Sequence, residues 1–331
     1  MDIEKYSNKD QNIKESYINS PHVVILGAGC SKAAFPDGDK NNKALPLMNN
    51  IFSILKMEDI FNKYDLKVPT INFEEYYSSI YDKTQYNPLR EELEERIYSY
   101  FKSLSIPDYP TIYDYLVLSL QEKDLIATFN WDPFLYDACQ RNYKVKPLPQ
   151  IVYLHGNVRI GMDSSGKEIG LAEGINSKTG NKFIPTQLLY PIENKDYSKD
   201  IFIAEQWRML ENYLSRAYYL TIFGFGAPSS DIKAVKLLEK CWTSTPSRIY
   251  SEMEVIDIVQ EEIIKKRWKK FLYSHHFSIL NDFFTSSIAR NPNKTTEELF
   301  ESTMEVMFTE SKPLPINVSL VELQEIVKAN Y

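Results

Sequence analysis

Five short stretches of the chain carry residue types able to bind or cleave a ligand. Gly27-Ala28-Gly29, with Ser31 two residues on, follows an apolar run and precedes a helix-like segment. Glycines so placed let backbone N–H groups approach phosphate oxygens, and they serve a plain tight turn equally well. Thr128-Phe129-Asn130-Trp131-Asp132 sets an uncharged amide and a carboxylate two residues apart, a pair able to hold a carboxamide and a water. The same spacing suits an Asx turn in which Asp132 caps the next helix. Tyr153-Leu154-His155-Gly156 holds one of four histidines in the chain, a general base near neutral pH or a hydrogen-bonded structural imidazole. Gly224-Phe225-Gly226, followed by Ser229, Ser230 and Asp231, is a second glycine-rich turn whose backbone can hold a ribose or a phosphate. Gly161 to Glu168 nearly spells a Walker A loop through Gly166 and Lys167, but Glu168 stands where a Mg²⁺-binding hydroxyl is needed, so it reads as a loop.

Other features read as structural. The carboxylates of Glu91, Glu92, Glu94 and Glu95 around Leu93 suit a solvated helix face. The basic run Lys265 to Lys270, with Trp268, Phe271 and Tyr273, has the interleaving of a nucleic-acid surface and equally of an amphipathic helix, and the helix is the expectation. Cys30, Cys139 and Cys241 lie about a hundred residues apart, which excludes a disulfide framework and any CxxC zinc pair. Cys30 is expected to be a small buried residue.

The elements that position these stretches follow from hydrophobic patterning. Short apolar runs at 23–26, 124–129, 151–154, 218–223 and 254–259 read as buried parallel strands, each of the first four ending at one of the polar or glycine-rich stretches above. Helical spacing falls at 132–141, 203–216 and 229–242, and 156–184 reads as a loop. Strands alternating with helices predict an α/β fold, a Rossmann-like, mostly parallel sheet with helices on both faces. Nearly a hundred residues separate the first two strands. Apolar residues at three- and four-residue spacing there, in 47–55, 73–81, 89–104 and 112–120, predict a helical insertion over about 45–122. Residues 1–20 read as a polar, weakly helical lead-in and 261–331 as a helical C-terminal extension packed on a domain spanning 1–260.

Composition narrows the field. With 38 Lys+Arg against 45 Asp+Glu the net charge is −7, which argues against a surface devoted to nucleic acid, so direct nucleic-acid binding is not expected. Hydrophobic residues at 43 % and charged residues at 25 % suit a folded globular protein rather than a disordered one. No apolar run reaches the roughly 18 residues of a membrane helix, and the polar N-terminus lacks a secretory pattern, so the chain is expected in the cytoplasm. The glycine pattern at 27–29 does not suit a hydride-transfer enzyme. Lys32 replaces the third glycine of that fingerprint, and Asn49 and Asn50 stand where its acidic residue belongs.

The order of the motifs, strand–GAGxS, strand–TxNxD, strand–LHG and strand–GxG–Ser/Asp, resembles the sirtuin (silent-information-regulator) family of NAD⁺-consuming enzymes over about residues 20–260. More closely it is similar to bacterial sirtuin-like NAD⁺ hydrolases that act as anti-phage effectors. The resemblance implies NAD⁺ as substrate, with no metal. Gly27, Ala28, Gly29 and Ser31 would meet the phosphates, Asn130 and Asp132 the nicotinamide pocket beside Phe129, and His155 would be the catalytic base. Gly224, Phe225, Gly226, Ser230 and Asp257 would lie along the adenosine ribose. Deacylating sirtuins carry four zinc-binding cysteines, a Gln where Phe129 stands and a PDFR segment; here only Pro36-Asp37 of that segment is present, followed by Gly38 and Asp39. The expectation is therefore an NAD⁺ glycohydrolase rather than a zinc-free deacylase, an ADP-ribosyltransferase or a non-catalytic NAD⁺ or ADP-ribose sensor. The resemblance also implies a homo-oligomer and, as partner, a HerA-type ATPase or a short Argonaute complex.

Overall fold

The run His22–Leu26 is buried at every position, as a strand walled by neighbours on both edges and both faces must be. This strand, β1, sits at the centre of a six-stranded sheet in a computed structural model that describes residues 3–166, 168–192, 195–243, 250–272, 276–308 and 310–330. On one side of it run β2 (Leu125–Thr128) and β3 (Gln150–Tyr153), each parallel to its neighbour. On the other run β7 (Tyr219–Phe223), β8 (Glu252–Ile256) and β9 (Phe277–Leu280), also parallel. A separate small antiparallel sheet joins β4 (Ile160–Met162) to β5 (Ile169–Leu171) and β6 (Ile184–Pro185).

Counting the large sheet's strands in chain order, their spatial order is 3-2-1-4-5-6, the doubly wound arrangement in which the chain first builds one half outward from the centre and then returns to build the other. Alternate side chains of β1 enter opposite cores. Val24 and Leu26 join the helices of the insertion on one face, while Val23 and Ile25 meet helices Ile201–Arg216 and Ile232–Thr243 on the other. Each fully buried aliphatic side chain of this kind contributes roughly 1.5–3 kcal/mol.

The insertion is helical as patterned, with helices Ile51–Ile54, Glu58–Lys63, Phe73–Tyr81, Asn87–Lys102 and Ile112–Ser119. Leu89, Leu93, Ile97 and Phe101 form the buried stripe of Asn87–Lys102, and its carboxylates face outward, where Glu92 pairs with Lys63 and Glu94 accepts from the Tyr77 hydroxyl. The N-terminal lead-in is helix Ile3–Ile18.

Three expectations change. The segment 156–184 is not all loop: it folds into the small sheet, and Gly166 takes a positive φ of 71° in the turn between β4 and β5, so the Walker-like stretch is a hairpin, with Lys167 outside the described residues. The region after residue 260 is not wholly helical, because β9 completes the large sheet. It is a half-buried edge strand in which Ser278 interrupts the apolar run, which weakens its signature. Finally, the fifth expected strand lies at 252–256 rather than 254–259, because Asp257 turns the chain by accepting from the Val259 amide. The basic run forms helix Glu261–Trp268, with Ile264 and Trp268 buried and its lysines outside; Tyr273 lies outside the described residues. Among the described residues no helix is long and apolar enough to cross a membrane.

Candidate active site

Crossover connections leave β1 in one direction and β7 in the other, so a crevice opens above the C-terminal ends of these two adjacent strands. The two glycine-rich turns meet there. Gly29 N–H donates to the Gly224 carbonyl at 3.0 Å, and Gly27 N–H donates to Phe223 O at 3.0 Å. A Cβ on Gly29 would stand 2.8 Å from Gly224 Cα, and one on Gly224, whose φ is +62°, would stand 2.2 Å from Cys30 N. These glycines thus allow the backbones to touch, and the amides of Gly27 and Gly29 are engaged within the protein. That is a packing role the spacing alone did not separate from phosphate binding. Cys30 is fully buried, and burial pushes its thiol up and out of the reactive range.

Around this junction lies a cleft of about 910 Å³, large enough for a dinucleotide-sized ligand. Every residue anticipated for the site reaches its wall: Gly27, Ala28, Gly29 and Ser31; Phe129, Asn130 and Asp132; His155; Gly224, Phe225, Gly226 and Ser230; and Asp257. The wall opposite the turns comes from the insertion and its flanks and is apolar, with Leu45, Met48, Ile51, Phe101 and Ile112. Pro36 also reaches the cleft, whereas Asp39 is buried in its own turn, accepting from the amides of Asn41, Lys43 and Ser105.

Ser31, Asn130, Asp132 and Tyr113 form one buried network. The Ser31 hydroxyl donates to Asp132 Oδ2 at 2.6 Å. With that proton committed, its lone pairs accept from Tyr113 OH at 2.7 Å and from Asn130 Nδ2 at 3.0 Å. Asn130 Nδ2 also donates to Gly27 O at 3.0 Å, leaving the carbonyl Oδ1 as the group Asn130 can present to a ligand. Asp132 Oδ1 accepts from Phe134 N at 3.3 Å, so the Asx turn and the network coexist. Asn157 clamps the segment from behind by donating to Asp132 O at 2.7 Å. Burial pushes the Asp132 carboxyl up to about 6, opposed by the Ser31 hydrogen bond.

His155 faces the cleft from the end of β3. Phe129 meets it edge-on at 4.8 Å between ring centroids and stacks flat on Phe225 at 4.1 Å, an aromatic partition between the network and the second glycine turn. His155 Nε2 is buried and makes no hydrogen bond; it lies 3.5 Å from Asp231 Oδ1. That oxygen accepts from the buried Lys195 ammonium. Desolvation, and then the Lys195 charge, hold the imidazole well below its ordinary range, so His155 is neutral. Ser230 is buried beside the pair, and its amide donates to Glu74 of the insertion at 2.8 Å.

Three of these groups escape sequence reasoning as site residues. Lys195 sits in an aperiodic connection, and Tyr113 in a helix so uniformly apolar that it reads as core. Asp231 was visible in the strand–turn–helix motif, but nothing in the spacing separated it from a helix-start residue. Among the described residues no cluster of three or more His, Cys, Asp or Glu is placed to hold a metal ion.

No protein-family model and no curated protein matches the chain. Among solved structures it is similar to a Sir2 homologue in complex with NAD, at 11 % identity and a TM-score of 0.42, covering 89 % of this chain and 94 % of that one. It is also similar to a Sir2 homologue variant in complex with ADP-ribose, at 10 % identity and a TM-score of 0.42, covering 89 % of this chain and 96 % of that one. A third, from a study of sirtuin substrate affinity, is 13 % identical with a TM-score of 0.36 and covers 91 % of this chain and 98 % of that one.

Proposed function

We propose that the chain is an NAD⁺ glycohydrolase releasing nicotinamide and ADP-ribose. The observation that carries this reading is the convergence of Asn130, Asp132, Ser31 and a neutral, unbonded His155 Nε2 on one cleft at the strand-order reversal of a doubly wound sheet.

In this reading the dinucleotide lies across the β1–β7 junction. Its adenosine ribose runs toward Ser230 and Asp257, and its pyrophosphate passes over residues 27–31. Asn130, fixed by its bonds to Gly27 O and Ser31, offers Oδ1 to the nicotinamide ribose or to the attacking water. As the C1′–N bond breaks, its electron pair stays with the nicotinamide, which leaves neutral. Positive charge then grows on the ribose, and the Asp132 carboxylate, hydrogen-bonded to Ser31 in the cleft wall, can balance it. Water oxygen bonds to C1′ and its proton passes to His155 Nε2, for which a neutral imidazole is required. Proton transfer of this kind is worth about 10²–10⁴-fold.

Uncontrolled NAD⁺ depletion would harm a cell. We therefore place the enzyme in an anti-phage response of the abortive type, as a homo-oligomer released by a partner such as a HerA-type ATPase or a short Argonaute complex. The apolar wall of Leu45, Met48, Ile51 and Phe101 favours a second reading, in which ADP-ribose or an acyl group is exchanged with an apolar-flanked acceptor. The experiment is NAD⁺ consumption by purified protein, alone and with each candidate partner or an acylated peptide, with products resolved by chromatography. Nicotinamide and ADP-ribose formed without peptide, and lost at least a hundredfold in His155→Ala, are expected. Wild-type turnover in His155→Ala would overturn the assignment, and turnover only with peptide would favour the second reading.

A further inference from the structure

A buried lysine is costly unless its charge is answered, and Lys195 is 4 % exposed in the wall of the cleft. Its ammonium is bound by one oxygen, Asp231 Oδ1, and that same oxygen lies 3.5 Å from the unbonded Nε2 of His155. The three groups come from three separate elements: the end of β3, the connection before helix Ile201–Arg216, and the turn after β7. Other residues around them are Tyr197, whose ring lies parallel to the imidazole at 6.1 Å, Phe129 and Phe225, and Glu74, which holds the amide of Ser230 next to Asp231. The other carboxylates lining the same cleft are Asp132, Asp257 and Asp282, and Lys32 is its other cation.

We propose that Lys195 and Asp231 are positioning residues for His155: the ammonium, bound at the oxygen that faces the imidazole, offsets the carboxylate that would otherwise stabilise the imidazolium, and so keeps His155 deprotonated with Nε2 unbonded for the reaction. The inference rests on His155 being the base of the proposed reaction. It assigns to Lys195 the role of a competitor. An Asp beside a His ordinarily hydrogen-bonds it and stabilises its cation, and an opposite charge within about 4–6 Å raises a histidine by 1–3 pH units. Here the lysine charge at that oxygen offsets the carboxylate and itself disfavours the imidazolium. Burial disfavours the Lys195 cation, Asp231 opposes that, and the outcome is a pair whose charges cancel beside an uncharged imidazole.

The test is an NMR titration of the His155 imidazole, assigned by its loss in His155→Asn, in wild type, Lys195→Met, Lys195→Arg and Lys195→Met/Asp231→Asn. It is run together with the pH profile of kcat/KM for NAD⁺. Lys195→Met frees Asp231 for Nε2 and should raise the His155 midpoint by about one pH unit or more. The acid limb of the rate profile should move by the same amount, while Lys195→Arg stays near wild type. The double variant, which removes both charges and so leaves neither one buried and unpaired, should show a midpoint below that of Lys195→Met or, if that variant is unfolded, a midpoint set by burial alone and within about half a unit of wild type. A His155 midpoint unmoved in Lys195→Met, or raised by a unit in the double variant, overturns the proposal. Because the titration needs no turnover, a shifted midpoint without NAD⁺ cleavage keeps the electrostatic assignment and removes the hydrolase reading instead.

Discussion

At the scale of single residues, the site holds groups at odds with a stable interior. Asp132 is the clearest. Burial raises its carboxyl from 3.8 to about 6, so the folded protein holds that proton more tightly than the unfolded chain does. Such a group contributes stability that is fully present below its unfolded pKa and is lost as the pH climbs through 6. By pH 7 the loss is on the order of 3 kcal/mol, from about two pH units at 1.36 kcal/mol each. Asp132→Asn removes the buried charge and keeps a single acceptor oxygen, for either Ser31 or the Phe134 amide, with an NH2 in place of the other. Denaturation midpoints measured from pH 4 to 7 should show the variant gaining on wild type by about 1–3 kcal/mol across that interval, while NAD⁺ cleavage is lost. A difference between the two proteins that stays constant with pH would show that the network, not burial, sets the Asp132 charge.

At the scale of elements, the junction of the two glycine turns is the part that admits least change. Gly29→Ala would press a methyl carbon to 2.8 Å from Gly224 Cα, and the obstacle is backbone rather than a movable side chain. The turns after β1 and β7 must separate. The expected cost is about 1–3 kcal/mol of stability, read by denaturant unfolding, with NAD⁺ affinity reduced at least tenfold by calorimetry. Unchanged affinity would mean that the ligand does not cross this junction. Much of the element level was legible in the chain: β1, β2 and β7 announce themselves as short apolar runs ending in glycine or polar residues, because a central parallel strand has no solvent face, and β3, an edge strand, keeps an unbroken run whose last two residues are buried. β9 was not, since an edge strand is half solvated and Ser278 breaks its run. Nor was the small antiparallel sheet, whose three strands have two or three residues each and too few positions for an alternation to show. At the site, Asn130, Asp132 and His155 stand in strand-end motifs with a readable spacing, whereas Lys195 and Tyr113 come to them only through tertiary contact.

At the scale of the whole molecule, the helical insertion is built into the principal core. Leu93, Ile97 and Phe101 of helix Asn87–Lys102 belong to the same buried cluster as Val24 and Leu26 of β1 and Ile126 of β2. Tyr113 from the last insertion helix closes the polar network, and Glu74 from an earlier one binds the turn at Ser230. The insertion should therefore not unfold by itself. Leu93→Ala, whose side chain does not line the cleft, should cost about 2–5 kcal/mol, and far-UV and near-UV circular dichroism should report one shared transition at a lowered midpoint. Two separated transitions would make the insertion an autonomous unit.

The strand order also carries a timetable. β1 leaves the ribosome first, but its partner β2 begins at residue 125 and its other partner, β7, at residue 219. At about 5–20 residues per second the central strand waits roughly 10–40 s for its second neighbour. Its four consecutive apolar residues, Val23 to Leu26, stay unpaired along at least one edge for that time. The cleft wall that ends with Asp257 and Asp282 is translated later still. On the proposed reading, a nascent chain would acquire NAD⁺ cleavage only after most of it has been made, and folding intermediates exposing β1 are where a chaperone would be expected to bind.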